Sequence, residues 1–380
     1  MEENIITTPN GQPFPYKQYL KRKKEGKKLV GILAHEMIPL ELLRSFDLHI
    51  VPLIFVGPEE YSNYGATFMT HSACTYARNV LGAFLEGNEF WTGILDYILG
   101  SNYCNGDFTC SEFLNHEFHV PLIKTFIPFK ASNYSLDFFY EELRLLKSKL
   151  ESELGEKVDE SKIRRSIKLH NELKYLLKAL HDLNVHGTEL LQRYQEATVL
   201  SPEDMIERLK FLYFSGNHEL SKNNDDASES APVLLTGSSI FINDFFGNWL
   251  EMFGVDVIYY DTWVGGIMED VIVPTDENNV LASLVLSYLT GQGIERNVPN
   301  SMDLKTSRLS KLLEDHDCKG VINHTLKFCE LQAMGKKDIK HIIGERIPIL
   351  DIERDYSKSG RGGIQTRVEA FVEMILEGER

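Results

Sequence analysis

The chain has little cysteine, no excess of positive charge and no long apolar run, and each shortage closes off a class of function. Five cysteines in 380 residues, no two at CxxC spacing, speak against a disulfide framework and against a zinc-ribbon or thioredoxin-like site. Forty Lys and Arg against 56 Asp and Glu leave a net charge of −16. Nucleic acid calls for a basic face and anionic lipid for a basic patch, so neither is an expected partner. The strongest apolar stretch, "LHIVPLIFVG", has the length of a strand, well short of the ~18 residues of a membrane helix. The opening "MEENIITTPNGQPFPYKQYLKRKKEGKK" carries no apolar centre behind its charges and does not read as a signal peptide. A cytoplasmic protein is expected.

Several catalytic signatures are missing as well. No GxxxxGK[ST] occurs, so ATP hydrolysis by this chain is not expected. The glycine-rich "SGRGGIQTR" lacks the GxGxxG spacing and does not join a first strand to a first helix, and GxSxG and HExxH are absent.

What is there is alternation. Residues 1–27 read as a polar arm ending in a basic surface helix. From 28 to 134, "KLVGIL", "LHIVPLIFVG", "LDYILGS" and "VPLIKTFIPF" read as strands separated by helices, the first helix opening near Pro39 and a later one being "ACTYARNVLGAFLEG". Continuous apolar strands imply a parallel sheet covered on both faces, with right-handed crossovers. Residues 135–214 change to helical period, with Ser201 and Pro202 as a start signal, and predict a helical insert. "SGNHELSKNNDDASESAP", 215–232, reads as a linker. From 233 to 380 the alternation resumes with "PVLLTG", "VDVIYYD", "GVINH" and "PILDIERD" as strands. The expected fold is α/β: two doubly wound, flavodoxin- or Rossmann-like parallel-sheet domains with a helical insert between them.

Three cysteines fall at one kind of place. Cys74 in "HSACTYARN" stands at the N-terminus of an expected helix, Cys104 in "LGSNYCNGD" directly follows a strand end, and Cys329 in "INHTLKFCE" follows another strand end and begins a helix. In open α/β sheets ligands bind beyond the carboxyl ends of the strands, and helix N-termini stabilise thiolate, the form that ligates metal. A free cysteine is also an ordinary small core residue. Topology leaves both readings open for these three, whereas Cys110, inside a helix, and Cys318, before a strand, read as core thiols.

"HSACTYAR", "DYILGSNYCNG", "GVINHTLKFCE", "IPILDIERDY" and "TRVEAFVEMI", in this order, resemble the 2-hydroxyacyl-CoA dehydratase and benzoyl-CoA reductase family, with a 2-hydroxyglutaryl-CoA dehydratase D-component-like subunit as the nearest description. "MIPLELLRSFDLHIVPL" and "VLLTGSSIFINDFFGNWLEMFGVDVIYYD" add to the likeness, which spans residues 28–376. The resemblance implies one [4Fe–4S] cluster held by three cysteines, carried over by position to Cys74, Cys104 and Cys329, with one iron left open. It implies an oxygen-sensitive lyase subunit that removes water from an (R)-2-hydroxyacyl-CoA to give the 2-enoyl-CoA through a ketyl radical. The electron comes from a separate ATP-dependent iron–sulfur activator, and the chain pairs with a second dehydratase subunit as a heterodimer or homodimer. A non-catalytic electron-relay subunit, or a reductase of a recalcitrant substrate, is the alternative.

At the acyl-CoA end the matching positions are Glu36 in "AHEMIP" and Glu59 or Glu60 in "GPEEYSNYGA". Glu36 departs from the hydroxyl expected there, and a carboxylate beside a thioester needs a partner such as His35 or a raised pKa. His71, three residues before Cys74, reads either as a donor to a cluster sulfide or as a helix cap. Ser238 and Ser239 read as ligand donors or helix caps.

Overall fold

The computed structural model describes residues 16–87, 92–215, 230–290 and 302–377. They pack as two compact units, one formed by residues 1–171 and 270–298, the other by 172–269 and 299–380. Residues 1–15 of the expected arm and most of the expected linker lie outside the described residues; Ala231 and Pro232, at the linker's end, already open a strand. Among the described residues no helix is long and apolar enough to cross a membrane.

The first unit is built on four parallel strands, β1 (Lys28–Ile32), β2 (Leu48–Pro52), β3 (Tyr97–Ser101) and β4 (Leu122–Thr125), in the order β2-β1-β3-β4. Four of the five residues of β1 are buried, as a strand covered on both faces requires. The chain steps outward from β1 to β2 and then returns past β1 to β3, so β1 and β3 flank the point where winding reverses. Such a switch point opens a crevice at the carboxyl ends of its two strands.

Two glycines fix the layer around that crevice. A β-carbon on Gly65 would stand 1.8 Å from the Arg78 carbonyl oxygen, and one on Gly82 would stand 2.0 Å from that of Tyr61. Helices Glu59–Gly65 and Thr75–Glu86 therefore approach backbone to backbone, each through the other's glycine. Buried Arg78 donates from Nε to the Ala73 carbonyl at 3.2 Å and from Nη1 to the Ser62 carbonyl at 3.1 Å. The residue before Cys74 is pinned as a result.

The span 135–214 is helical as expected, in helices Asn133–Leu154, Glu160–Lys178, Gly187–Val199 and Pro202–Ser215. The first starts at Ser132, whose hydroxyl accepts the Ser135 N–H, and stops at Gly155 with φ 63°. Helix Val280–Leu289, which follows the second unit's early strands in sequence, belongs to the first unit. Its Tyr288 hydroxyl donates to Glu41 Oε2 at 2.7 Å, and Asn279 donates to the Tyr140 hydroxyl at 3.2 Å.

The second unit repeats the first sheet's plan. Strands β5 (Ala231–Gly237), β6 (Val255–Asp261), β7 (Gly320–Leu326) and β8 (Ile349–Arg354) are parallel in the order β6-β5-β7-β8. Its switch point lies between β5 and β7, and every residue of β7 is buried.

Candidate functional site

At the first unit's switch point, the loop after β1 is held from three sides. The Ala34 N–H donates to the Tyr76 hydroxyl at 3.1 Å, and that hydroxyl donates to the Leu53 carbonyl at 2.8 Å. The backbone N–H of His35 donates to Asp107 Oδ2 at 2.8 Å, and His35 Nδ1 lies 3.0 Å from the same oxygen. Glu36 Oε2 accepts the backbone N–H of Ser101, the last residue of β3. Glu36 thus ties the end of β1 to the end of β3 across the crevice.

The corner is dry and acidic. Asp107 and Ser101 are fully buried and Glu36 nearly so; the His35 side chain is 12% exposed. Burial, reinforced by the neighbouring Asp107 charge, pushes the Glu36 carboxyl well above its ordinary range, and the hydrogen bonds from Ser101 do not offset this. Oε2 accepts from Ser101, so whenever the acid is protonated its proton sits on Oε1. That oxygen and Asp107 Oδ1 are buried with no hydrogen-bond partner among the described residues.

Cys74 and Cys104 meet this corner from two helices. Each is the N-cap residue, Cys74 of helix Thr75–Glu86 and Cys104 of helix Asn105–Phe118, and neither caps through its side chain. Gly106 packs closely against both. A β-carbon there would stand 3.1 Å from Cys74 Cβ and 3.7 Å from both the Cys74 and the Cys104 sulfur. The ligand atoms of His35, Cys104 and Asp107 lie within 4.8 Å of one another.

In the second unit Cys329 is the N-cap of helix Glu330–Ile342, three residues beyond the last residue of β7. Cys104 stands three residues beyond the last residue of β3. The residue before Cys329, Phe328, has φ 64°, a left-handed conformation costly for an aromatic side chain. Ser238 plays here the part that Glu36 plays in the first unit: its hydroxyl accepts the N–H of Leu326, the last residue of β7, at 3.0 Å. Ser239 accepts the Val264 N–H at 3.0 Å. Ser238 fastens the loop after β5 to the end of β7, and Ser239 fastens it to the loop after β6.

Behind them lies a buried network. Arg354 Nε donates to His324 Nε2 at 2.9 Å, so His324 carries its proton on Nδ1 and donates it to the Ser238 carbonyl at 2.7 Å. Burial first, and then the Arg354 charge, hold this histidine well below its ordinary pKa. The guanidinium is also paired with Asp244 and lies 4.1 Å from the Phe246 ring centre.

The expected residues sort as follows. Cys74, Cys104 and Glu36 come together at one rim, and Cys329 stands at the equivalent rim of the other sheet. Glu59 and Glu60 open helix Glu59–Gly65, Glu59 part-exposed and Glu60 exposed. His71 is exposed. His35 partners Asp107, and burial raises the Glu36 pKa. Cys110 and Cys318 are buried as expected; burial pushes the Cys110 thiol up, and burial with Asp317 takes Cys318 to about 12. Asp107, Ser101 and Gly106 went unread. In "CNGD" Asp107 stands three residues after the N-cap, where an acid reads as an ordinary first-turn residue.

Comparison with known proteins gives two findings. A family model described as 2-hydroxyglutaryl-CoA dehydratase, D-component, matches residues 36–375. YjiM of Escherichia coli (strain K12), provisionally named a dehydratase subunit, is 26% identical over 296 residues, covering 74% of each chain.

Proposed function

The chain belongs to the 2-hydroxyglutaryl-CoA dehydratase D-component family, and from that premise we propose that it is the iron–sulfur subunit of a 2-hydroxyacyl-CoA dehydratase. The reaction is loss of water from an (R)-2-hydroxyacyl-CoA to the 2-enoyl-CoA by a radical route, in the cytoplasm of an anaerobic cell. A separate ATP-dependent activator supplies the electron, and a second subunit completes the enzyme. Cys74, Cys104 and Cys329 are the proposed thiolate ligands of one [4Fe–4S] cluster, which when bound supplies one-electron chemistry and an open iron.

The observation that carries this reading is the convergence of Cys74 and Cys104 on one rim, where a β-carbon on Gly106 would stand 3.7 Å from both sulfurs. Their places at helix N-termini favour the charged thiolates that iron needs. Cys110 and Cys318, held as thiols by burial, are unsuited to the task.

Glu36 favours the substrate-bearing role over the electron relay. A carboxyl kept neutral in a dry site can donate a hydrogen bond to a carbonyl oxygen on which negative charge develops, which a carboxylate cannot do. Its unpartnered Oε1 is the donor for a thioester. Glu59, after β2, is the second proposed contact at the acyl-CoA end.

The deciding experiment is iron and acid-labile sulfide content, with an absorption spectrum, on protein purified without oxygen. About four of each per chain, the number in one cubane cluster, is the expected result. An acyl-CoA that then changes the spectrum supports the substrate-bearing role; an inert spectrum supports the relay. A colourless protein that cannot be reconstituted overturns the cluster.

A further inference from the structure

We propose that the first unit holds one small monovalent anion of the chloride class beneath helix Tyr16–Lys24, bound by the Tyr19 hydroxyl, the His49 ring and the Arg44 and Arg22 guanidinium groups. The place lies near the amino ends of β1 and β2, where Leu29 and His49 are register partners. Glu36 and the cysteines belong to the carboxyl ends of the strands, so this site stands or falls apart from the cluster.

Tyr19 and His49 each bury a polar atom with nothing to bond to. Tyr19 is fully buried and His49 is 9% exposed, and their rings stand 5.5 Å apart. The Tyr19 hydroxyl and His49 Nε2 have no hydrogen-bond partner among the described residues. One orphaned group of this kind is a local packing cost; two on rings in contact describe a place for a shared partner.

The surroundings set the charge of that partner. Burial, then the Arg44 and Arg22 charges, lower the His49 pKa to about 4, while burial raises that of Tyr19 against the pull of Arg44. Both groups are neutral at pH 7. Each then has a proton to donate, the imidazole in the tautomer protonated at Nε2. The helix above them carries Lys17, Lys21, Arg22, Lys23 and Lys24 and no acid, so an acidic chain presents a positive field here. Arg22 is shared with Glu25 at the surface, at 3.2 Å. Neutral donors among guanidinium charges repel a metal ion and suit an anion. Both orphaned atoms are closed to solvent, which favours a compact ion over a bulky oxyanion. Once bound, the ion joins Tyr19 of the helix to His49 of the edge strand and to Arg44, which ends helix Leu40–Leu43.

The test is a set of urea melts on the full-length protein in sodium chloride or sodium gluconate at equal ionic strength, gluconate being too large to enter. Expected is a midpoint that rises with chloride and saturates as for one site. Tyr19→Phe removes only the orphaned oxygen, and Arg44→Gln removes one charge; each should weaken the chloride response about tenfold. In gluconate Tyr19→Phe should melt no earlier than the parent. Tyr260→Phe is the control. Its hydroxyl is also buried and unpartnered among the described residues, but its charged neighbours are Glu251 and Asp256, so its chloride response should stay parental. Crystals grown in bromide should show an anomalous peak between the Tyr19 and His49 rings. If Arg44→Gln is unfolded by circular dichroism, Tyr19→Phe and the bromide peak carry the comparison. Equal midpoints in chloride and gluconate, as a water in the ion's place would give, overturn the proposal. So does a response that climbs without saturating and is the same in Tyr19→Phe, the mark of a general salt effect.

Discussion

Cys104 and Cys329 occupy the same place in two sheets of the same plan. Each stands three residues past the end of the strand that follows the switch in winding, and each is the last residue before a helix. The strand ends beneath them are held alike, by Glu36 on the Ser101 N–H and by Ser238 on the Leu326 N–H. Four predictions come from these two rims and from His49 in β2.

Replacing Cys104 or Cys329 by Ser should remove most of the iron from anaerobically purified protein while leaving the circular dichroism unchanged. Cys110→Ala is the control. It deletes a fully buried sulfur that contacts the Ala77 carbonyl at 3.7 Å, so it should cost about 1 kcal/mol in a urea melt and keep its iron. Full iron in both Cys→Ser proteins would refute the ligand assignment.

Gly106→Ala separates stability from function. Alanine in a helix is worth up to about 1 kcal/mol over glycine, but its methyl would stand 3.1 Å from Cys74 Cβ, which must shift to admit it; the two effects offset, and the apoprotein should be about as stable as the parent. The new methyl would stand 3.7 Å from both sulfurs, and the expected result is reduced iron retention. Lower stability together with full iron would mean that the glycine serves packing.

Glu36 has a raised pKa, so the stability linked to it is fully present below the unfolded carboxyl value of about 4.5 and is lost as pH rises towards the folded value. In that window the unfolded chain has released a proton that the folded chain keeps. Glu36→Gln should flatten the fall in urea midpoint between pH 5 and pH 8. Parallel profiles for the two proteins would show that Glu36 is charged when folded.

His49 behaves in the opposite sense. Burial, then the Arg44 and Arg22 charges, lower its pKa to about 4, and its ring packs against buried Tyr19 at 5.5 Å. Above the unfolded value of 6.5 it costs nothing; as pH falls from 6.5 to about 4 the unfolded chain gains a proton that the folded chain resists. The loss approaches about 3 kcal/mol at the acid end. His49→Gln should remove part of the acid lability seen by urea melts at pH 7 and pH 5; an unchanged difference would rule His49 out as its source.

The order of strands and helices was legible in the sequence because each strand here is a short apolar run and each helix an apolar period, signals local to five or twenty residues. The helix-start places of Cys74 and Cys329 were legible for the same reason, a cap being set by the residues on either side of it, whereas Cys104 read only as the end of a strand and proves to be the N-cap of helix Asn105–Phe118. Helix Val280–Leu289 shows where such reading stops. Its own pattern predicts a helix, but it is distant contacts, Tyr288 with Glu41, 247 positions away, and Asn279 with Tyr140, that attach it to the first unit.

The site itself was decided by tertiary structure. Sequence placed Glu36 after the first strand and offered His35, its neighbour, as a partner. Folding put β3 beside β1, and with that Ser101 beneath Glu36 and Asp107 beneath His35, pairs 65 and 72 residues apart. Strand order is fixed by which apolar faces bury together across the whole sheet. No local pattern records it, and the raised pKa of Glu36, the orphaned Asp107 oxygen and the approach of Cys74 to Gly106 all follow from it.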